Sequence, residues 1–344
     1  MGLRELQETA EALVAPGKGI LAADESGGTI KKRFDSIGVE STEDTRRAYR
    51  EMLFRTDGAA DHVSGVILFD ETIRQKAADG TPLVELLEKQ GIIPGIKVDA
   101  GAKPLAMSEG ETVTEGLDGL RERLAEYRDL GARFAKWRAT YSIDTGSKGG
   151  RRPTDYCLDV NAHALARYAA LCQEAGIVPI VEPEVLMDGD HTIDESFLAT
   201  ERVLSEVFHQ LIHQNVEFEG MLLKPNMVLS GYECAAQASV EEVAENTVRC
   251  FRLVVPAAVP GIVFLSGGQS DEVATAHLGA MNRMGPHPWQ LSFSYGRALQ
   301  APALKAWGGQ PDNLGAGQAA YLKRARLNGA ARDGSYTEAM EAAS

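Results

Sequence analysis

The stretch Gly220-Met221-Leu222-Leu223-Lys224-Pro225-Asn226 is apolar until it meets a lysine and then a proline. A short apolar run closed by a charge and a breaker reads as a fully buried strand. Helical periodicity flanks it on both sides, over 193–214 before it and over 240–255 after it. Strands that alternate with helices build a parallel sheet, because parallel neighbours need a crossover between them. Outward from this unit the pattern repeats. Toward the N-terminus lie Gly19-Ile20-Leu21-Ala22-Ala23-Asp24, Val63-Ser64-Gly65-Val66-Ile67-Leu68-Phe69, Ile92-Ile93-Pro94-Gly95-Ile96-Lys97-Val98-Asp99, Arg133-Phe134-Ala135-Lys136-Trp137-Arg138 and Ile177-Val178-Pro179-Ile180-Val181-Glu182-Pro183-Glu184. Toward the C-terminus lie Gly261-Ile262-Val263-Phe264-Leu265-Ser266 and Leu291-Ser292-Phe293-Ser294-Tyr295. Further helical patterns cover 40–55, 116–130, 161–175 and 271–283. Eight such strands within about 280 residues predict a single-domain (β/α)8 TIM barrel over 1–330; an open doubly wound sheet is the rival. Pro94 and Pro179 are expected at strand starts, where a missing N–H is tolerated. A glycine-rich loop leads to a last helix over 316–328, and 331–344 is expected as a mobile tail. The polar segment 141–155, with Gly146, Gly149, Gly150 and Pro153, reads as a lid or binding loop.

Composition narrows the function. The apolar share of 44% is that of an ordinary globular chain. A formal net charge of −14 argues against a general nucleic-acid binder, although a local basic cluster can still attract a small anion. The N-terminus is polar and no apolar stretch reaches the roughly 18 residues of a membrane span. The four cysteines form no C-x-x-C pair, as befits reduced thiols. A cytoplasmic protein is expected.

The chemistry is concentrated where the strands end. Those ends carry Asp24, Lys97, Lys136 with Arg138, Glu182 with Glu184, Lys224, Ser266-Gly267-Gly268 and Ser294-Tyr295-Gly296-Arg297. In a barrel these ends converge on one face, which is where active sites lie. Lys224, carried into a crowded site beside a second ammonium, loses solvation, and a neutral amine attacks carbonyl carbons: this is Schiff-base chemistry. The glycine loops after the seventh and eighth strands each open a helix, an arrangement suited to phosphate. Across the mouth, Ser26-Gly27-Gly28, Arg33 and Lys97 suit a second phosphate, so the substrate is expected to carry one at each end. Taken singly these features have ordinary readings. A strand-end lysine forms an ion pair, Asp24 caps a segment, and Lys97 or Arg33 pairs with an acid such as Asp99. His209 and His213 stand at metal-compatible spacing, but Gln210 follows where a zincin has glutamate, and no metal is expected.

Together the motifs resemble the class I fructose-1,6-bisphosphate aldolases, the metal-independent Schiff-base type. The resemblance rests on Leu21-Ala22-Ala23-Asp24-Glu25-Ser26, Gly65-Val66-Ile67-Leu68-Phe69, Gly95-Ile96-Lys97-Val98-Asp99 and Phe134-Ala135-Lys136-Trp137-Arg138. It continues through Val178-Pro179-Ile180-Val181-Glu182-Pro183-Glu184, Leu222-Leu223-Lys224-Pro225-Asn226, Phe264-Leu265-Ser266-Gly267-Gly268-Gln269-Ser270 and Phe293-Ser294-Tyr295-Gly296-Arg297-Ala298-Leu299. It runs from residue 3 to residue 330. It implies a lyase without cofactor that splits fructose 1,6-bisphosphate into triose phosphates, assembled as a homotetramer. By the same resemblance Lys224 forms the Schiff base, Glu182 shuttles protons and Asp24 takes the C4 hydroxyl proton, while Lys136 and Glu184 support them. Ser266, Gly267, Gly268, Ser294, Gly296 and Arg297 would hold the C1 phosphate; Ser26, Arg33 and Lys97, with Arg138 and Arg46 as weaker candidates, would face the C6 phosphate. Alternatives are a preference for another ketose phosphate, such as sedoheptulose 1,7-bisphosphate or fructose 1-phosphate, and a catalytically idle barrel serving as a scaffold. One departure stands out. Animal members typically end in a tyrosine linked to proton transfer at the enamine, whereas this chain ends Met340-Glu341-Ala342-Ala343-Ser344 and Tyr336 is internal.

Overall fold

A computed structural model describes residues 2–144 and 152–342. Its barrel strands are Gly19–Ala23, Val63–Leu68, Ile93–Lys97, Phe134–Tyr141, Val178–Val185, Leu222–Leu223, Gly261–Phe264 and Gln290–Tyr295. Each pairs in parallel with its neighbour, and the eighth returns to the first through Ile20↔Ser294 and Leu21↔Tyr295. That closure decides against the open doubly wound sheet. The sixth strand is short, yet the Lys224 N–H donates to the Val181 carbonyl at 2.8 Å and carries the ladder on to the lysine. Pro94 and Pro179 are each the second residue of their strand.

Strand side chains alternate, so residues two apart share a face. On the interior face the series change character along the strands. Ile20 and Ala22 precede Asp24; Phe134 precedes Lys136 and Arg138; Val178 and Ile180 precede Glu182 and Glu184; Leu222 precedes Lys224. The apolar members form one buried cluster with Leu6, Ala10, Leu13 and Val14. Those four belong to the helix Leu3–Leu13 and the residue that caps it, which close the N-terminal end of the barrel. Gly95 makes room for this floor: a Cβ there would collide with the Phe134 ring. The charged members therefore stand on a dry, close-packed base that restricts their movement.

Helices wrap the outside. Ile193–His213, Val240–Val254 and Asp271–Arg283 lie within a residue of expectation because Thr192, Ser239 and Ser270 cap them. The helix expected over 161–175 starts earlier, at Asp155, because the Thr154 hydroxyl accepts from the Cys157 N–H. The one expected over 116–130 is Leu120–Asp129, since Gly119 takes φ 65° before it. The last long helix is Leu314–Arg332, so the expected boundary at 330 falls inside it. Beyond it, Tyr336 is buried and Glu341 accepts two bonds from Arg324 Nη1, both at 2.7 Å, so residues up to 342 rest against the outer helices. Within the loop expected over 141–155, Asp144 bridges to Arg152, while 145–151, with Gly146, Gly149 and Gly150, lie outside the described residues. Among the described residues no helix is long and apolar enough to cross a membrane.

Candidate active site

The interior charges meet at the C-terminal end of the barrel. Lys136 Nζ lies 2.8 Å from Asp24 Oδ2 and 3.0 Å from Glu182 Oε2. Glu182 reaches Lys224 with its other oxygen, Oε1, at 3.1 Å. One carboxylate thus bridges two lysines, and one lysine bridges two carboxylates. Arg138 Nε donates to Glu184 Oε2 beside them. All four chains of the central cluster are buried or nearly so: the side-chain exposures are 4% for Lys136, 5% for Lys224, 5% for Glu182 and 14% for Asp24.

Ionisation follows from these distances. Burial works to raise the Asp24 carboxyl, but the Lys136 and Lys224 ammonium groups outweigh it and hold Asp24 well below the usual carboxylate range. Burial likewise works to raise Glu182, and Lys136, Lys224 and Arg138 overcome it. For Lys136 burial opposes the charge, while Asp24 and Glu182 hold it protonated beyond the ordinary lysine range. The cluster therefore presents ionised carboxylates and an ionised Lys136 at neutral pH.

A cavity of about 580 Å³ opens above the cluster. Every residue expected at the site lines it except Gly27, Gly28 and Arg46. Arg46 instead pairs with Glu71 at 2.5 Å and reaches Ser41, outside the cavity. Seven cationic side chains line the cavity against four acids, a formal +3 in a chain of net −14. The local field is thus set for anions despite the global charge.

The cations stand at two ends. At one, Gly267 and Gly268 adopt φ 60° and 125° after the seventh strand, and an added Cβ on Gly268 would meet Arg297 Nη2 at 2.9 Å. The Arg297 guanidinium therefore lies against the glycine loop that follows the seventh strand. Ser294 Oγ, beside them, is buried with no hydrogen-bond partner among the described residues. At the other end, Arg33 pairs with the buried Glu25 at 2.5 Å and Lys97 with Asp99 at 2.5 Å. Gln300 Nε2 donates to Glu25 Oε1 at 2.7 Å and orients that carboxylate.

Sequence reasoning missed Lys32, Thr29, Glu25 and Ser36, which also line the cavity. They belong to or flank the helix Gly27–Asp35, which opens on a Gly-Gly pair and has only Ile30 and Phe34 as a buried apolar stripe to announce it. The signal available was spacing: Thr29, Lys32 or Arg33, and Ser36 fall at helical intervals on one face. Tyr336 does not line the cavity; its hydroxyl donates to Glu341 Oε1 at 3.0 Å. The His209 and His213 rings are tilted by 46° with centroids 4.3 Å apart, and among the described residues no group of three or more His, Cys, Asp or Glu is set to hold a metal.

Such a site can run amine addition to a carbonyl, with an adjacent carboxylate to move protons and a second to accept one. Comparison with known proteins agrees. The family described as Fructose-bisphosphate aldolase class-I matches residues 5–344. The chain is 58% identical over 337 residues to a probable fructose-bisphosphate aldolase class 1 of Xanthomonas campestris, covering 98% of this chain and 99% of that one. It is 52% identical to a cytosolic fructose-bisphosphate aldolase 4 of Arabidopsis thaliana, covering 96% of this chain and 84% of the relative. A solved fructose-bisphosphate aldolase from Plasmodium falciparum, in complex with TRAP and a small-molecule inhibitor, superposes with a TM-score of 0.95 at 51% identity, covering 97% of this chain and 96% of that one.

Proposed function

Because this chain belongs to the class-I fructose-bisphosphate aldolase family, we propose that Lys224 is the amine on which its reaction is carried. The protein is a lyase that cleaves fructose 1,6-bisphosphate reversibly into dihydroxyacetone phosphate and glyceraldehyde 3-phosphate. The observation that carries the assignment is Glu182 bridging Lys224 at 3.1 Å and Lys136 at 3.0 Å inside a cavity with cations at both ends.

In this reading Glu182, ionised and 3.1 Å from Lys224 Nζ, takes a proton from its ammonium, and the neutral amine adds to the C2 ketone. Glu182 returns that proton to the C2 oxygen to give the carbinolamine, then takes a second proton from the nitrogen and passes it to the same oxygen, which leaves as water. The product is an iminium. Asp24 then accepts the C4 hydroxyl proton as the C3–C4 bond breaks, and the bonding electrons move onto the iminium nitrogen to give an enamine. Glyceraldehyde 3-phosphate departs, C3 is protonated, and water releases dihydroxyacetone phosphate. Lys136 keeps Asp24 and Glu182 ionised, and Arg138 holds Glu184 in place. The Ser266–Gly268 loop, Ser294, Gly296 and Arg297 take the C1 phosphate; Ser26, Arg33 and Lys97, with Arg138 and the newly placed Lys32, face the C6 phosphate. Two such anion sites with the lysine between them suit a bisphosphate. Comparing kcat/KM on fructose 1,6-bisphosphate, sedoheptulose 1,7-bisphosphate and fructose 1-phosphate ranks the substrates.

A cytoplasmic location and a homotetrameric assembly belong to the same reading, supported by the cytosolic plant relative and by the family; light scattering on the purified protein tests the assembly. The chemistry is tested by borohydride reduction with dihydroxyacetone phosphate present, followed by peptide mapping. The adduct is expected on Lys224. An adduct on another lysine, or none, overturns the assignment.

A further inference from the structure

We propose that His277, which does not line the cavity, is a positioning residue for the C1-phosphate loop and acts on it through Gln269. The inference rests on the reading of Ser266-Gly267-Gly268 as that loop. The Ser266 carbonyl accepts from the Gln269 main-chain N–H at 3.0 Å and from Gln269 Nε2 at 3.1 Å. The Ser266–Gly267 peptide is trans, and a trans peptide points its C=O and N–H in opposite directions. Holding the Ser266 carbonyl onto the buried Gln269 therefore turns the Gly267 N–H the other way, out of the protein interior. The N–H groups of Gly267 and Gly268 find no main-chain acceptor among the described residues. The orientation of an anion-binding loop thus rests on Gln269, through its main-chain N–H and its side-chain amide together.

That side chain is itself held. His277 Nδ1 lies 2.6 Å from Gln269 Oε1. The network assigns the proton. A carbonyl only accepts, so the amide end that faces Ser266 is the NH2, and the end that faces His277 is the oxygen. Nδ1 must then donate. His277 is 4% exposed, and burial pushes its pKa down to about 4, so at neutral pH it is the neutral Nδ1–H tautomer. The ring stands on the helix Asp271–Arg283, whose cap is Ser270 at the end of the same loop. The loop is therefore anchored twice to one helix, once by its cap and once by His277. Without the Nδ1–H the Gln269 oxygen is buried with no donor, its amide is free to rotate toward another, and the Ser266 carbonyl loses a bond that aims the loop.

The test compares dihydroxyacetone phosphate with dihydroxyacetone, which lacks the phosphate, in borohydride trapping on the full-length enzyme. In His277→Leu the concentration of dihydroxyacetone phosphate for half-maximal trapping is expected to rise about tenfold, with dihydroxyacetone unchanged, because a misplaced anion site loses binding steeply. The kcat/KM for the bisphosphate should fall by a similar factor, chiefly through KM. His277→Asn places an amide N–H2 where Nδ1–H stood, and should restore binding to within about twofold. Equal effects on both compounds, no effect on either, or an Asn variant no better than Leu would each overturn the proposal. If His277→Leu does not yield soluble protein, Gln269→Met cuts the same chain from the loop side and is judged by the same phosphate-selective loss. Arg297→Ala serves as the reference. If it fails to separate the two compounds, the reading of the loop as a phosphate site falls; if it separates them and the His277 and Gln269 variants do not, this inference alone falls.

Discussion

Replacing Lys136 with methionine should give the cluster a pH dependence of stability near neutrality that it lacks in the parent protein. The lysine sits 2.8 Å from Asp24 and 3.0 Å from Glu182 with its side chain 4% exposed. At an effective dielectric near 20, each contact carries about 5–6 kcal/mol of Coulomb attraction, most of it offset by desolvation. Deleting one partner of a buried pair costs about 3–5 kcal/mol, because the other charges stay buried without it. In the parent protein Asp24 and Glu182 titrate below, and Lys136 above, their ordinary ranges. The two acids contribute stability that is present above the unfolded carboxyl range and lost as pH falls through their lowered values. Lys136 contributes stability that is present below the ordinary lysine range and lost as pH rises through its raised value. Between about pH 5 and 9 native and unfolded chains hold the same protons at these groups, and the cluster adds no slope. In Lys136→Met two buried carboxylates share Lys224 alone. Burial then prevails at one of them, which takes up a proton in the native state. The native protein binds one proton more than the unfolded chain, so stability rises as pH falls, by about 1.4 kcal/mol per unit above the ordinary carboxyl range. Urea unfolding followed by tryptophan fluorescence, at fixed protein concentration and about pH 5.5, 6.5 and 7.5, measures this slope; Trp137 is a buried reporter next to the site. The loss of about 3–5 kcal/mol at the highest pH should shrink by about 1–3 kcal/mol at the lowest. A variant whose loss is constant across that range would refute the view that Lys136 keeps these carboxylates ionised.

Three other outcomes are expected. Lys224→Met should bring turnover to background and abolish the reduced adduct with dihydroxyacetone phosphate, read by intact-protein mass; a surviving adduct would move the nucleophile elsewhere. Asp24→Asn keeps the shape of the cavity but removes the proton acceptor. Its kcat for cleavage should fall about 10²–10⁴-fold while trapping at Lys224 persists, and an unchanged kcat would remove Asp24 from the proton transfer. Gly267→Ala forces a side chain into φ 60° and against Met187, at a cost of about 1–2 kcal/mol from the backbone alone. A lowered Tm together with a raised KM is expected, and an unchanged KM would show that the turn does not shape the phosphate site.

The barrel was legible because each strand is buried on both faces, and short apolar runs between amphipathic helices announce that locally. The site was legible for a related reason: alternation with period two puts Ile180 and Glu182, or Phe134 and Lys136, on one interior face, so apolar residues followed by charges mark the floor and the active end. Local order also gave the helix starts at Ile193, Val240 and Asp271, which Thr192, Ser239 and Ser270 cap. It left the helix Gly27–Asp35 unseen, and Lys32 with it, because two leading glycines and a short apolar face of Ile30 and Phe34 carry only a weak periodic signal. Arg46 stood as a weaker candidate than Arg33, and the helix Glu43–Phe54 turns it to Glu71, whereas Arg33 faces the cavity. Closure of the barrel decided that Lys136 meets Asp24 and that Glu182 is shared between two lysines. Those partners stand on different strands far apart in the chain, and their distances depend on strand stagger and on the floor beneath them. Charge type is a property of each residue, but which charge neutralises which is a property of the closed sheet.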